Sequence, residues 1–158
     1  MKKVSIADLP WEESKSPSGK FHSFFQNVSL ALGGKRDLGT WGGGHPFDLQ
    51  VRRVPPGAAV CPQHAHGVQW ELFVVLSGNA TVRVDSETHT VQAGDAFVQP
   101  PGVAHQIINA GKTDFIFYVI ADNPPTDTTY YPNSKKWMVK PQRKIFRMTE
   151  VDYFDGED

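Results

Sequence analysis

Three histidines and one glutamate stand at spacings that could hold a metal ion. His64 and His66 are two residues apart, so on a β-strand both imidazoles project from the same face. Glu71 begins the next apolar run, and His105 follows Pro100-Pro101-Gly102 on a separate predicted strand. Imidazole nitrogens combined with a carboxylate oxygen suit iron, manganese, cobalt, nickel, copper or zinc. Spacing alone also fits the alternative that the histidines are hydrogen-bonded core residues of a sheet.

The elements that would position these side chains are short strands. From Phe47 to Ile120 the sequence consists of brief apolar runs separated by Gly, Pro, Asn or Asp, without long helical periods. Leu72 to Leu76, the Gly78-Asn79 turn and Ala80 to Val84 predict a β-hairpin. This pattern predicts an all-β fold, an antiparallel sandwich or barrel.

The candidate ligands also fit the two sequence motifs of the cupin superfamily. The first motif comprises Gly57, His64, His66, Glu71 and Gly78. It has six residues between the first Gly and the first His, where the family usually has five. The second motif comprises Gly94, Pro100, Gly102, His105 and Asn109 and has the family spacing. The chain therefore resembles a single-domain bacterial cupin over about residues 48–121.

The resemblance implies a cupin double-stranded β-helix, or jelly-roll, barrel of six to eight strands. We expect a single domain over residues 1–158, with its barrel core at about 48–121. An N-terminal arm, 1–47, would pack outside the barrel, and a C-terminal tail, 122–158, would lie on the surface. That tail is basic and then acidic, a pattern typical of solvated segments.

The resemblance also implies that His64, His66, Glu71 and His105 bind one divalent metal ion: Fe, Mn, Ni, Zn or Co. Four protein ligands leave one or two coordination positions for water or substrate, which is typical of a reactive site. No separate general base or nucleophile stands out, so no further catalytic residue is assigned. The candidate pocket residues, each with a structural alternative, are Trp70, Cys61 and Asn109.

Three functions stay open from the sequence. The first is a small-molecule metalloenzyme of dioxygenase, isomerase or decarboxylase type. The second is a non-catalytic module that binds a sugar or organic acid, and the third is a metal-stabilised structural barrel. We favour the enzyme, because structure alone does not require an open coordination sphere. The Pro124-Pro125 and Tyr130-Tyr131-Pro132 segments resemble unassigned bacterial cupins, some described as sugar-phosphate isomerases.

Composition excludes several other classes of protein. The net charge of −1 gives no basic field for nucleic acid. No apolar stretch reaches the roughly 20 residues that a membrane span requires. One cysteine allows no intramolecular disulfide, and no apolar run near Met1 suits a signal peptide, so we expect a cytoplasmic protein. By analogy, and to cover sheet edges, we expect a homodimer that acts on a small molecule.

Overall fold

The chain contains thirteen antiparallel strands joined by turns and loops, and all 158 residues are described by a computed structural model. The strands before the barrel core are β1 (Glu12–Lys15) and β2 (His22–Asn27). Those of the core are β3 (Phe47–Val54), β4 (Ala65–His66), β5 (Glu71–Ser77), β6 (Asn79–Val84), β7 (Glu87–Gln92), β8 (Ala96–Gln99), β9 (His105–Ile108) and β10 (Phe115–Asp122). After the core come β11 (Asp127–Tyr131), β12 (Lys136–Lys140) and β13 (Lys144–Phe146). The all-β fold is confirmed, and eight strands lie in the expected core.

The strands form three sheets. The largest has the order β1-β2-β3-β10-β5-β8, and the other two have the orders β13-β12-β11-β4 and β7-β6-β9. The apolar core joins the largest sheet to the three-stranded sheet, because it combines side chains such as Phe73 and Phe117 with Val82 and Ile107. The helices are a 3₁₀ turn at Ile6–Asp8 and α1 at Val28–Ala31. Neither has the length and hydropathy needed to cross a bilayer.

The inward-facing side chains change from apolar to polar along the barrel. On β3, Val54 is fully buried in the core, and every second residue before it lies on the same face. These residues are Arg52, Gln50 and Asp48, and all three line a cavity. β5 shows the same change from polar to apolar side chains, because Glu71 lies in the cavity whereas Phe73 and Val75 are core residues. The barrel therefore has an apolar floor beneath a polar cavity.

The N-terminal arm differs from the expectation that it packs outside the barrel. β1 and β2 extend the largest sheet, with β2 paired to β3. Sequence could not decide between a strand and helical turns for residues 24–32, and the structure contains both, since β2 leads into α1. The turn that follows uses Gly33, whose φ of 94° favours glycine. β1 escaped prediction because all four of its residues are exposed and lack an apolar alternation.

The C-terminal segment is not the simple surface tail expected from the sequence. β11 pairs with β4, placing Thr129 opposite His66, and β12 and β13 complete that sheet. Asp127 and Lys140 are buried. The charged residues that suggested a solvated tail therefore include some that face the interior. Only residues 141–158 are exposed throughout, as the charge pattern predicted.

Candidate metal centre

Three of the four predicted ligands form a compact cluster at one end of the cavity. His64 precedes β4, His66 ends it and Glu71 opens β5, so a short connection brings them together. One ligand atom from each residue lies within 4.8 Å of the other two. His66 is buried and the other two residues are partly buried. Such a cluster of imidazole and carboxylate groups suits a divalent transition metal.

The fourth residue, His105, is brought to this cluster by backbone pairing. The His64 backbone N–H donates to the His105 carbonyl at 3.1 Å, and the His105 N–H donates back to the His64 carbonyl at 2.8 Å. The Nε2 atom of His105 lies 2.9 Å from Glu71 Oε2. The structure therefore brings all four predicted residues to one place.

Backbone carbonyls orient two of the imidazoles. His64 Nδ1 lies 3.0 Å from the Pro62 carbonyl oxygen, and His105 Nδ1 lies 3.4 Å from the Val103 carbonyl oxygen. A carbonyl oxygen can only accept, so these contacts favour a proton on Nδ1 of both rings. In a neutral imidazole, Nε2 then carries the free lone pair. Both rings are thus prepared to donate Nε2 to a cation.

His66 is oriented by a carboxylate instead. Its Nδ1 atom lies 2.7 Å from Asp127 Oδ2, and the Thr129 hydroxyl is 3.5 Å from the same nitrogen. Burial of Asp127 favours its neutral form, but the hydrogen bonds from His66 and the Val68 N–H outweigh burial and hold its pKa at about 2. Burial in turn lowers the pKa of His66 below its ordinary value. A carboxylate behind a ligating imidazole is a common arrangement around protein-bound metals.

Glu71 provides the test of whether a cation fits. Its Oε2 atom is buried and has no hydrogen-bond partner, despite lying near His105 Nε2. Burial favours the neutral acid, but the contact with His105 and the neighbouring imidazoles outweigh burial and hold the Glu71 pKa at about 2. When these imidazoles are neutral with the proton on Nδ1, a buried carboxylate oxygen facing their Nε2 lone pairs is costly unless a cation lies between them. The donor set therefore fits a metal ion.

A buried charge network lies behind Asp127. Lys140 Nζ is 3.5 Å from both Asp127 Oδ2 and Asp37 Oδ1, and it donates a 2.8 Å hydrogen bond to Gln69 Oε1. Arg143 adds a second cation, with Nε 3.3 Å from Asp37 Oδ2. The network links the loop before β3 with β11 and β12. It therefore joins both chain arms to the candidate metal centre.

The candidate metal centre opens into a cavity of about 280 Å³. Cys61, a predicted pocket residue, lines this cavity, and its Sγ lies 3.6 Å from His64 Nδ1. Burial, and then the nearby Glu71 carboxylate, raise the pKa of the thiol to about 11. Cys61 is therefore a neutral thiol near pH 7, which suits a wall residue better than a nucleophile.

The other two predicted pocket residues lie away from the cavity lining. Trp70 is 50% exposed, and its backbone N–H donates to Asp122 Oδ1. Asn109 is fully buried, and its side-chain amide donates to the carbonyls of Val54 and Thr113, each at 2.8 Å. Asn109 thus joins strand ends and has a structural role rather than a place in the cavity wall.

Sequence reasoning missed Asp127, Lys140 and Arg52. The first two lie in the segment expected to be a surface tail, and Asp127 is 61 residues from its partner His66. Nothing local indicates such a contact. Arg52 did leave a signal, because the alternation of β3 places it on the same face as Val54. A charged residue on the core-facing side of a strand could have been singled out.

Comparison with known proteins identifies the architecture. The family model described as "Cupin domain" matches residues 50–121, the stretch that contains all four candidate ligands. Residues 50–121 form a cupin domain. The match begins within β3 and ends within β10, so the cupin domain coincides with the barrel core and leaves out both arms.

Two solved structures have folds similar to that of this chain, and one curated relative has a similar sequence. A sugar phosphate isomerase from a cupin superfamily, from Silicibacter pomeroyi, has a TM-score of 0.76 at 21% identity, covering 96% of this chain and 97% of its own. A predicted oxalate decarboxylase from Thermotoga maritima has a TM-score of 0.63 at 20% identity, covering 77% and 99%. At these identities the likeness concerns the jelly-roll fold. An oxalate-binding protein from Thermotoga maritima is 29% identical over 68 residues, or 43% of this chain. The chain spans only 55% of that relative's length.

Proposed function

We propose that the cupin domain binds one divalent metal ion through His64, His66, Glu71 and His105. We further propose that the protein is a small-molecule metalloenzyme of isomerase or decarboxylase type. The buried, unpartnered Oε2 of Glu71 is the observation that carries the proposal. This oxygen faces three imidazole rings. The Nδ1 atom of each ring is directed to a carbonyl or carboxylate acceptor. Four acceptor groups directed at one point need a cation to offset their repulsion.

The chain's own residues set the conditions for chemistry at this point. The bound ion would supply a Lewis acid with open positions for a substrate's oxygens. Glu71 contributes a negative charge, and Asp127 holds the His66 ring in place. Phe73 and Phe117 form an apolar wall that limits water in the lower part of the cavity. The half-enclosed cavity, at about 280 Å³, suits a small metabolite rather than a polymer.

The relatives support two kinds of substrate. The Silicibacter pomeroyi structure is described as a sugar phosphate isomerase, and this chain covers 97% of it. One Thermotoga maritima protein is described as an oxalate-binding protein, and the Thermotoga maritima structure is described as a predicted oxalate decarboxylase. Sugar phosphates and small dicarboxylic acids are both anionic molecules with neighbouring oxygens that can chelate a metal. We place sugar-phosphate isomerisation first and decarboxylation of a small acid second.

The metal content of the protein tests the first half of the proposal. Protein purified without an affinity tag or chelator should contain close to one equivalent of iron, manganese, nickel, zinc or cobalt. His105→Ala should lose most of that metal, whereas His89→Ala should retain it, because His89 is an exposed residue on β7. Equal metal contents in the two variants, or no metal in the wild type after reconstitution, would contradict the ligand assignment.

Turnover tests the second half. Metal-loaded wild type and His89→Ala should convert a member of a panel of sugar phosphates and small keto or dicarboxylic acids, and His105→Ala should not. Bound iron together with substrate-dependent oxygen uptake would contradict an isomerase or decarboxylase and would indicate a dioxygenase. Metal-dependent binding without conversion would instead favour the non-catalytic sugar or organic-acid module.

The homodimer and the cytoplasmic location stay predictions. We expect pairing through exposed apolar side chains on the outer side of the largest sheet, where Leu72 on β5 lies opposite Val98 on β8, with 40% and 50% exposure. β8 is also the edge of that sheet, and free edges are usually covered or protected. Light scattering coupled to size exclusion would give the oligomeric state.

A further inference from the structure

The basic residues that line the cavity divide into two kinds. Lys140 and Arg143 are paired, because each has a carboxylate oxygen within 3.5 Å. Arg36 and Arg52 also line the cavity, but the only arginines with a carboxylate within 4.0 Å are Arg53 and Arg143. Two guanidinium groups therefore face the cavity without a negative partner.

Arg52 is held in place by weak neutral contacts. Its guanidinium carbon lies 4.8 Å from the centre of the Phe25 ring, and one terminal nitrogen is 3.4 Å from the Ser23 hydroxyl. Burial lowers the pKa of Arg52 below its ordinary value and outweighs the attraction of acidic groups such as Glu71, so removal of its charge from water is not fully compensated within the chain. An arginine offers five N–H donors in a rigid fork, and a single long contact to Ser23 leaves most of them free.

Arg36 lies at the same side of the cavity, one step nearer the mouth. Its guanidinium donates to Asn27 Oδ1, and the same oxygen accepts a 2.9 Å hydrogen bond from Gln50 Nε2. Gln50 precedes Arg52 by two residues on the inward face of β3. Asp48, the next residue on that face, has no cation within 4.0 Å; burial outweighs the attraction of Arg36 and raises the Asp48 pKa, which weakens its ability to neutralise the arginines.

The charge of the whole cavity favours a negative ligand. Four basic and three acidic side chains line it, so a divalent ion bound at Glu71 would leave an excess of positive charge. The positive side chains without partners lie on β3 and the preceding loop, apart from the four candidate ligands. A guanidinium fork matches the planar edge of a carboxylate or two oxygens of a phosphate.

We infer that Arg52, assisted by Arg36, forms an oxyanion subsite for the substrate of the cavity. The substrate class is a small molecule with metal-binding oxygens at one end and a carboxylate or phosphate group at the other. This inference rests on the proposed function, because it names the substrate class of the same cavity. Arg52 is a binding residue that sets specificity and takes no part in holding the metal.

The test compares two neighbouring arginines on opposite faces of β3. Arg52→Met removes the inward charge and keeps a side chain that can pack on Phe25. Arg53→Met is the matched control, because Arg53 faces outward between Trp11 and Phe24. Inorganic phosphate and acetate are titrated separately into metal-free protein at constant ionic strength, and thermal stability or calorimetry reports binding. The two probes distinguish a phosphate from a carboxylate subsite.

Wild type and Arg53→Met should bind at least one of the two anions, with at least tenfold weaker binding by Arg52→Met. Arg52→Lys, which keeps the charge but loses the fork, should be intermediate. Equal anion affinities in Arg52→Met and Arg53→Met, or no binding to wild type, would overturn the inference. Metal content separates this outcome from a failure of the proposed function. Loss of anion binding in Arg52→Met, with wild-type metal content in the variant as purified, supports both proposals. Wild type that takes up no metal even after reconstitution, but still needs Arg52 to bind an anion, overturns the metalloenzyme alone.

Discussion

Asp127 Oδ2 lies 2.7 Å from His66 Nδ1, so a carboxylate on β11 orients an imidazole on β4. Asp127 Oδ1 accepts a 3.0 Å hydrogen bond from the Val68 N–H, which fixes the carboxylate plane as well. The His66 ring is therefore held from behind while its Nε2 atom faces Glu71 at 3.8 Å. A residue outside the cupin motifs thus controls one of the candidate ligands.

Asp127→Asn should weaken metal binding by about 10- to 100-fold, because His66 loses its charged acceptor. Competition with a chromophoric chelator would measure the affinity. Asp95→Asn is the control, since Asp95 only accepts a hydrogen bond from Gln92 in an exposed turn. An unchanged affinity in Asp127→Asn would show that the carboxylate is not needed to position the ring.

Lys140→Met should destabilise the fold by about 3 to 5 kcal/mol, because it leaves buried Asp127 without its lysine and buried Asp37 with only the half-exposed Arg143. Urea unfolding of the metal-free protein would measure the loss. Lys144→Met, which changes an exposed lysine on β13, should alter stability by no more than about 0.5 kcal/mol. Similar unfolding free energies for the two variants would mean that the buried network contributes little.

Asn109→Ala should be destabilising by about 3 kcal/mol and should leave the metal content unchanged. The substitution removes both donors to the Val54 and Thr113 carbonyls and the acceptor of the Gly111 N–H, in a fully buried position. Thermal unfolding and elemental analysis on the same sample separate the two effects. A loss of metal without a loss of stability would instead make Asn109 part of the site.

The Cys61 thiol should make the stability of the metal-free protein depend on pH in the alkaline range. Burial and Glu71 raise its pKa from an ordinary 9.0 to about 11, so the unfolded chain loses this proton first. The stability that the thiol contributes is therefore complete below about pH 9 and is lost as the pH rises through about 11. Cys61→Ala should have a flatter stability profile between these values than wild type. Parallel profiles would contradict the raised pKa.

The reactivity of the same thiol gives an independent measurement. Labelling of native wild type by a thiol reagent should be slow at pH 8 and should accelerate only above about pH 10, because the thiolate is the reactive form. Urea-unfolded protein, in which the thiol is exposed, serves as the reference. Equal labelling rates for folded and unfolded protein at pH 8 would rule out the burial argument.

The sequence was informative where the determining contacts are local. His64, His66 and Glu71 lie within eight positions of one another; the two-residue spacing puts both imidazoles on one face, and the short connection to β5 brings Glu71 beside them. Gly78 marks a tight turn, and its φ of 80° matches that use. The core strands other than the two-residue β4 could likewise be predicted from apolar runs and turn residues, and the resemblance to cupins supplied the position of His105.

The rest depends on contacts between distant segments. β1 pairs through its backbone and carries only exposed polar side chains, so no apolar pattern reveals it. Lys140 lies in a basic run, and its burial follows from pairing of β12 with β11, which local charge cannot reveal. The tail was therefore interpreted from composition, although three-dimensional pairing decided its position.

Because Asp127 lies on β11, the chain cannot be shortened to its family-matched stretch without loss of this residue. The stretch that matches the cupin family ends at residue 121, before Asp127, and it begins after Asp37 and Arg36. A fragment limited to that stretch would retain every candidate ligand and the carbonyls that orient His64 and His105, and it would lose Asp127, which orients His66. The stretch that defines the family is thus smaller than the network that holds His66 in place, and both flanking arms contribute residues to that network.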